Sequence, residues 1–468
     1  MKATFLTAAF VLIVELTTAQ PRSMLEPIPL PSKELSKLGR RFGKVFQPLQ
    51  DFHSQWKNPK TREFIISKSG DFQPEVAIGP NRSGFVLTNK QKVWFNSLAN
   101  DNAASGQRVK RGFRFRREYR QLPCWERVEF HKALRSMKTN MIDGLSEYDI
   151  FVGFHQPVQS PAAHGGAAFL PWHREYLWRF ENALRLHNPR VALPYWDSTL
   201  DAHLSVPQDS ILWSNQFLGD GSGTVESGPF VNWTTIAACQ PIGSLLRRNV
   251  GGVSAQALFS ESDIQWVLNK TNFKDLHVPA TEFEWAHGGP HVFVGGHMGR
   301  VTCSPTDPIF WMHHAFVDKV WEDFRYGSQT TDREEEYPRH SSEVNIGGQS
   351  HNPDALMYPF DPLTNKDGLN DRYTSRFYRY MPRPETCTKH RDCGLFLFCH
   401  EGQCKSKVKM NGDCTGLVPS SSSNLDRSAP CECGQCRPVS PGSSQLRCQS
   451  RWRWECLRAT SPVAACFF

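Results

Sequence analysis

The 468-residue chain contains no run of twenty apolar residues, the length an α-helix needs to cross a bilayer, so no membrane anchor is expected. It has no His-Glu-x-x-His sequence, which removes the usual signature of a zinc hydrolase. No internal repeat is present, which excludes a solenoid or a propeller. Charge is sparse and nearly balanced: 21% of residues are charged, and 54 basic against 46 acidic residues leave a net +8. The one basic concentration, between Arg108 and Arg120, is too short for a nucleic-acid surface, and no nucleic-acid partner is expected. The 39% apolar and 12% aromatic content, in turn, excludes a disordered or fibrous chain and suffices for a sizeable core.

The first nineteen residues have the layout of a secretory signal: Lys2, an apolar stretch from Phe5 to Val14, and small residues Thr17-Thr18-Ala19 before Gln20. Export agrees with the cysteines. Cys124, Cys239 and Cys303 are scattered, whereas the other eleven of the 14 crowd between Cys387 and Cys466, as in a disulfide framework. Cys433-x-x-Cys436 also fits half of a zinc ribbon, but the second half does not recur. Sequons at Asn81, Asn232 and Asn269 suit a secreted glycoprotein. Residues 20–111 lack sustained periodicity and end in Arg108-Val109-Lys110-Arg111, a processing-type sequence, so they read as a pro-segment. A folded domain is expected over 112–380, a Cys-rich module over 381–440 and a tail over 441–468. The exported protein should be extracellular.

Apolar residues recur at helical spacing in four stretches: Trp125 to Met137, Tyr148 to His155, Phe169 to Leu186 and Pro308 to Tyr326, the last opened by Asp307 as a cap. The expected fold is therefore mainly α, a helical bundle with long loops and a small disulfide-rich module at the C-terminal end. Histidines fall on or between these stretches: His155, His164 and His173 at intervals of nine, His287 and His291 one helical turn apart, and His314 inside the last helix. A single such histidine is more often an ordinary core residue. Two triplets on inward faces of a bundle point instead to metal binding. Three neutral imidazoles per ion suit copper, zinc, nickel or iron, and a ligand set without carboxylates favours copper.

The run His164-Gly-Gly-Ala-Ala-Phe-Leu-Pro-Trp-His173-Arg-Glu-Tyr-Leu-Trp-Arg-Phe-Glu181 resembles the first copper signature of tyrosinases. Asp307-Pro-Ile-Phe-Trp-Met-His-His314-Ala-Phe-Val-Asp318 resembles the second, and Leu193 to Asp197 and Tyr378-x-Tyr380 extend the likeness. The extension that begins Met381-Pro-Arg-Pro resembles that of secreted nematode and mollusc tyrosinases. The resemblance implies two copper ions, one on His155, His164 and His173 and the other on His287, His291 and His314. It implies O2-dependent oxidation of phenols, small or protein-bound tyrosine and catechol groups, to o-quinones for pigment formation or crosslinking.

It further implies Glu284 as a water-holding base, Val301 as a gate over one copper, and Asp318 as support behind the ligands. His313 would turn away from the ion that His314 binds, and His131, His187, His203, His277 and His297 match no ligand position. Gly288 stands where many monophenol-active relatives carry Asn, and 156–163 lack the Cys that is linked to a ligand His in some relatives. Other functions on the same fold are an oxygen binder similar to hemocyanin and a catalytically weak matrix protein. The sequence sets no oligomeric state.

Overall fold

The computed structural model describes residues 86–99, 113–156, 159–160, 162–252, 258–277, 282–338, 348–418 and 427–450. The signal sequence, most of the expected pro-segment with its basic motif, the Asn81 sequon and the chain after 450 lie outside the described residues. The α-helices of eight or more residues among the described residues are α1 (Asn89–Ser97), α2 (Cys124–Thr139), α3 (Glu147–Phe154), α4 (Phe169–His187), α5 (Glu261–Leu268), α6 (Glu282–Val294) and α7 (Ile309–Gly327). The four helices anticipated from periodicity are α2, α3, α4 and α7. No helix among the described residues is long and apolar enough to cross a membrane.

Helix α4 is the axis of the bundle. It packs against α2 on one side and α7 on the other, and α7 also meets α5 and α6. Nearly all of α4 is buried, as is the first half of α7. Phe180 of α4 stacks on Trp311 of α7 with ring centroids 3.5 Å apart, and Phe151 of α3 meets both rings edge-on. Trp311 donates its indole N–H to Tyr148 at 2.8 Å, so the large aromatic core leaves that polar atom satisfied. In α2 the inward stripe is Cys124, Arg127, Phe130, Leu134 and Met137. Trp125, expected on that face, is 53% exposed because it lies one residue round from the stripe.

Helix α1 lies within the stretch read as a pro-segment. A capping box starts it: Thr88 Oγ1 accepts from the Gln91 N–H, and Gln91 Oε1 accepts from the Thr88 N–H. Phe95 is fully buried and stacks on Phe154 at 4.0 Å, while Arg179 and Asn182 of α4 bond Asn96 and the Leu98 carbonyl. Residues 87–98 therefore share the core of the domain that follows them.

Buried charges lock the helices in place. Strand β1 (Arg114–Arg116) pairs in parallel with β2 (Tyr378–Tyr380). Arg116 bridges Glu181 of α4 at 3.0 Å and stacks over Tyr378 at 3.5 Å. Asp307 grips Arg248 with both oxygens and also accepts from the Ile309 N–H at the start of α7.

The C-terminal module consists of two hairpins, β3 (Leu397–His400) with β4 (Gln403–Ser406) and β5 (Gln435–Pro438) with β6 (Leu446–Gln449). Its last strand lies beyond 440, in the stretch read as tail. Disulfides Cys387–Cys399, Cys393–Cys404, Cys414–Cys436 and Cys431–Cys448 supply the core that so short a segment lacks. Cys433 is disulfide-bonded as well, so Cys433-x-x-Cys436 offers no thiolates and the zinc-ribbon alternative fails. The module is fixed to the bundle: Leu200 packs among Cys393, Leu397 and Cys404, and Arg127 lies over Phe396 at 4.4 Å.

A candidate dimetal centre

Four elements bring the histidines together. His155 follows the last turn of α3, His173 lies in the first turns of α4, His287 and His291 lie on α6, and His314 lies on α7. His164 sits in the loop before α4. The donor atoms of His155, His164 and His173 all lie within 4.8 Å of one another, and so do those of His287, His291 and His314. The two trios adjoin, with the His173 and His314 rings stacked at 4.3 Å. The sulfurs of Cys387, Cys393 and Cys404 also lie close together, as do those of Cys414, Cys431 and Cys448, but they are in disulfides and cannot ligate as thiolates.

Backbone carbonyls set the tautomers. His155 Nδ1 faces the Val301 carbonyl at 2.9 Å, His173 Nδ1 the Phe169 carbonyl at 2.9 Å, and His291 Nδ1 the Met298 carbonyl at 3.0 Å; His287 Nδ1 faces the Glu284 carbonyl. A carbonyl only accepts, so each of these rings carries its proton on Nδ1 and has a bare Nε2. His155 Nε2 and His173 Nε2 then point lone pairs at each other across 3.4 Å, and His291 Nε2 stands 3.1 Å from His314 Nε2. Two nitrogens each about 2.0–2.1 Å from one ion at near-tetrahedral angles would be separated by roughly 3.3 Å. The spacing fits a cation between them, and facing lone pairs without one repel.

Burial, reinforced for most of them by neighbouring imidazoles, keeps the rings neutral. It lowers His155 to about 3 and His291 to about 4, and holds His164, His173, His287 and His314 well below the ordinary value. Neutral imidazole is the form that binds metal.

Around the trios, His313 turns away as helix geometry requires and donates Nε2–H to the His287 carbonyl at 2.9 Å. Of the histidines outside the two trios, His131, His277 and His297 are buried, and His187 and His203 are half-buried. Glu284 is buried; Gly165 donates its N–H to Oε1 at 2.7 Å, and Oε2 has no partner. Burial pushes this carboxyl up to about 8, against the lowering effect of the Gly165 and Gly166 amides. Val301 contributes the carbonyl that orients His155, while its own side chain is 53% exposed. Asp318 accepts from Arg174 Nε and from the hydroxyls of Tyr378 and Tyr380, each at 2.7 Å. Arg174 follows His173 and Asp318 lies one turn beyond His314, so their ion pair joins the helices that carry these two histidines. A disulfide, Cys239–Cys303, anchors the segment just after Val301.

Sequence reasoning missed His351, whose Nδ1 accepts from the Ala168 N–H at 3.3 Å across 183 residues. It also missed the orienting carbonyls of Val301 and Met298. Every residue has a carbonyl, so no side-chain pattern marks these.

A mainly helical protein whose core holds two adjoining trios of neutral imidazoles belongs to the class of coupled dimetal proteins. The family model "Common central domain of tyrosinase" matches residues 145–326. The chain is 38% identical over 344 residues to the putative tyrosinase-like protein tyr-3 of Caenorhabditis elegans, covering 69% of this chain and 47% of that one. It is 36% identical over 357 residues to tyrosinase-like protein 1 of Margaritifera margaritifera, covering 74% and 69%. A solved polyphenol oxidase from Thermothelomyces thermophila aligns at 21% identity with a TM-score of 0.46, over 64% of this chain and 100% of that one. The chain belongs to the tyrosinase family, whose cofactor is a pair of copper ions. It spans about half the length of the nematode relative.

Proposed function

We propose that the chain is a secreted phenol oxidase that uses O2 to convert o-diphenols to o-quinones, for pigment formation or crosslinking of extracellular protein. The observation that carries this reading is the pair of bare, buried Nε2 atoms of His155 and His173, 3.4 Å apart, beside an equivalent trio. His155, His164 and His173 would hold one copper, and His287, His291 and His314 the other. When bound, the two coppers supply the two-electron redox chemistry with O2.

The chain's own residues then have three tasks. The carbonyls of Val301, Phe169, Glu284 and Met298 fix ring orientation by accepting Nδ1 protons. The aromatic wall of Phe169 and Phe310 stands against the rings and excludes water. Glu284 Oε2, unpartnered and on a carboxyl of raised basicity, is the candidate acceptor for the phenol proton. The small, exposed Val301 side chain is the candidate gate, and it leaves room for bulky or protein-borne phenols.

Export is supported by the sequence of residues 1–19, by the disulfides and by the exposure of Asn232 and Asn269. Proteolysis after Arg111 would cut the chain while α1 stays seated in the core.

The test is to load the purified full chain with copper and assay a catechol, a tyrosine-type monophenol and the response to hydrogen peroxide. Catechol turnover with two coppers bound is expected. A near-ultraviolet band on adding peroxide with neither phenol consumed would favour an oxygen binder. No copper and no band would favour a matrix protein.

A further inference from the structure

Among the six histidines, four are steered by a ring proton on a backbone carbonyl. His164 has no such bond among the described residues. It also belongs to no helix: it lies in the loop 162–168, where Gly165 adopts φ +83°, a left-handed turn that a side chain would strain. A half-buried ring in such a loop needs some other restraint to stay aimed at the trio.

Two side chains far away in sequence supply it. On one side the Gly165 N–H donates to Glu284 Oε1 at 2.7 Å, and the Gly166 N–H reaches the same carboxyl. On the other side the Ala168 N–H donates to His351 Nδ1 at 3.3 Å. Both side chains are buried, so water does not compete for these amides. Glu284 stands on the helix that carries His287 and His291, and His351 is tied down by Tyr337, whose hydroxyl donates to its carbonyl at 3.0 Å.

We infer that Glu284 and His351 form a two-sided clamp on the loop 164–168 that aims His164, so both are positioning residues for the first trio. The inference rests on His164 being a copper ligand, and it gives Glu284 a role separate from proton transfer: Oε1 holds the loop while Oε2 stays free. Glu284→Gln keeps an acceptor oxygen for the amides, and His351→Asn keeps one near the Nδ1 position. Glu284→Leu and His351→Phe keep bulk but remove the acceptor.

The full chain and these four variants are compared without metal by amide hydrogen exchange over 162–168, and with metal by copper stoichiometry and Cu(II) paramagnetic resonance. The expected result is exchange at least about tenfold faster in Glu284→Leu and His351→Phe, and binding of the first copper weakened by about 10–100-fold. A half-loaded protein then shows an isolated Cu(II) signal, while the two conservative variants match the parent in amide exchange and copper binding. Unchanged exchange and unchanged copper affinity in both acceptor-free variants would overturn the clamp and leave the ligand assignment standing. A parent chain that binds fewer than two coppers would overturn the ligand assignment and the clamp together. If Glu284→Leu does not fold, His351→Phe decides alone.

Discussion

The imidazoles of His173 and His314 face each other with centroids 4.3 Å apart and planes 14° from parallel. They come from different helices, α4 and α7, and from different trios, so this contact is the seam between the two candidate metal positions. The Arg174–Asp318 ion pair, at 2.7 Å, keeps the two helices in register beside it.

His291→Gln should leave one trio intact and break the other. Copper analysis should fall from two ions toward one, and catechol oxidation should drop by more than about a hundredfold, since even outer partners of a ligand are worth 10–100-fold. Two tightly held coppers in this variant would refute the assignment.

Gly288→Asn should raise the ratio of monophenol to diphenol oxidation. Gly288 follows His287 on α6, and a Cβ added there meets nothing within 4 Å, so the new amide has space beside the site. Replacing a helical glycine should also add a few tenths of a kcal/mol to stability, roughly. The two rates, measured side by side on copper-matched protein, check the prediction, and an unchanged ratio counts against it.

Acid should unfold the protein through its buried carboxylates. Burial pushes Glu181, Asp197 and Asp318 up, but the guanidiniums of Arg116, Arg383 and Arg174 outweigh it and leave all three below the usual carboxylate range. A depressed folded-state value means that the stabilisation is complete above about pH 4, where the unfolded carboxylates are ionised, and is lost as pH falls through the folded value. Asp318→Asn should therefore cost about 1.5–3 kcal/mol at neutral pH, since Arg174 loses one of its two carboxylates and keeps Glu322, and should flatten the acid limb. Thermal melts from pH 7 to pH 2 would show it; an unaltered acid limb would not fit.

Phe95→Ala should destabilise the domain by about 3–5 kcal/mol although the residue precedes the basic motif, because it removes a ring stacked on Phe154. Denaturant unfolding measures this directly. A change below about 1 kcal/mol would mean that α1 contributes little to the core.

The bundle and its histidines were legible in the sequence because their signals are local. Periods of 3.6 residues placed α2, α3, α4 and α7, and His287 and His291 were one turn apart before any fold was considered. Helix α1 was not legible: it has few apolar residues, and what stabilises it is Phe154, Phe360 and Arg179, far along the chain. Trp125 was misplaced because an apolar residue beside a stripe looks like part of it until the partner face is known.

The sequence by itself determined the residue types, six imidazoles on or beside helical segments and cysteines enough to fix a small module. Only the tertiary structure decided that the two trios meet, which ring nitrogen is bare, and that Glu284 and His351 hold the loop of His164. Those depend on backbone carbonyls and amides brought together across as many as 183 residues, and a main-chain group has no identity in a sequence until folding gives it a partner.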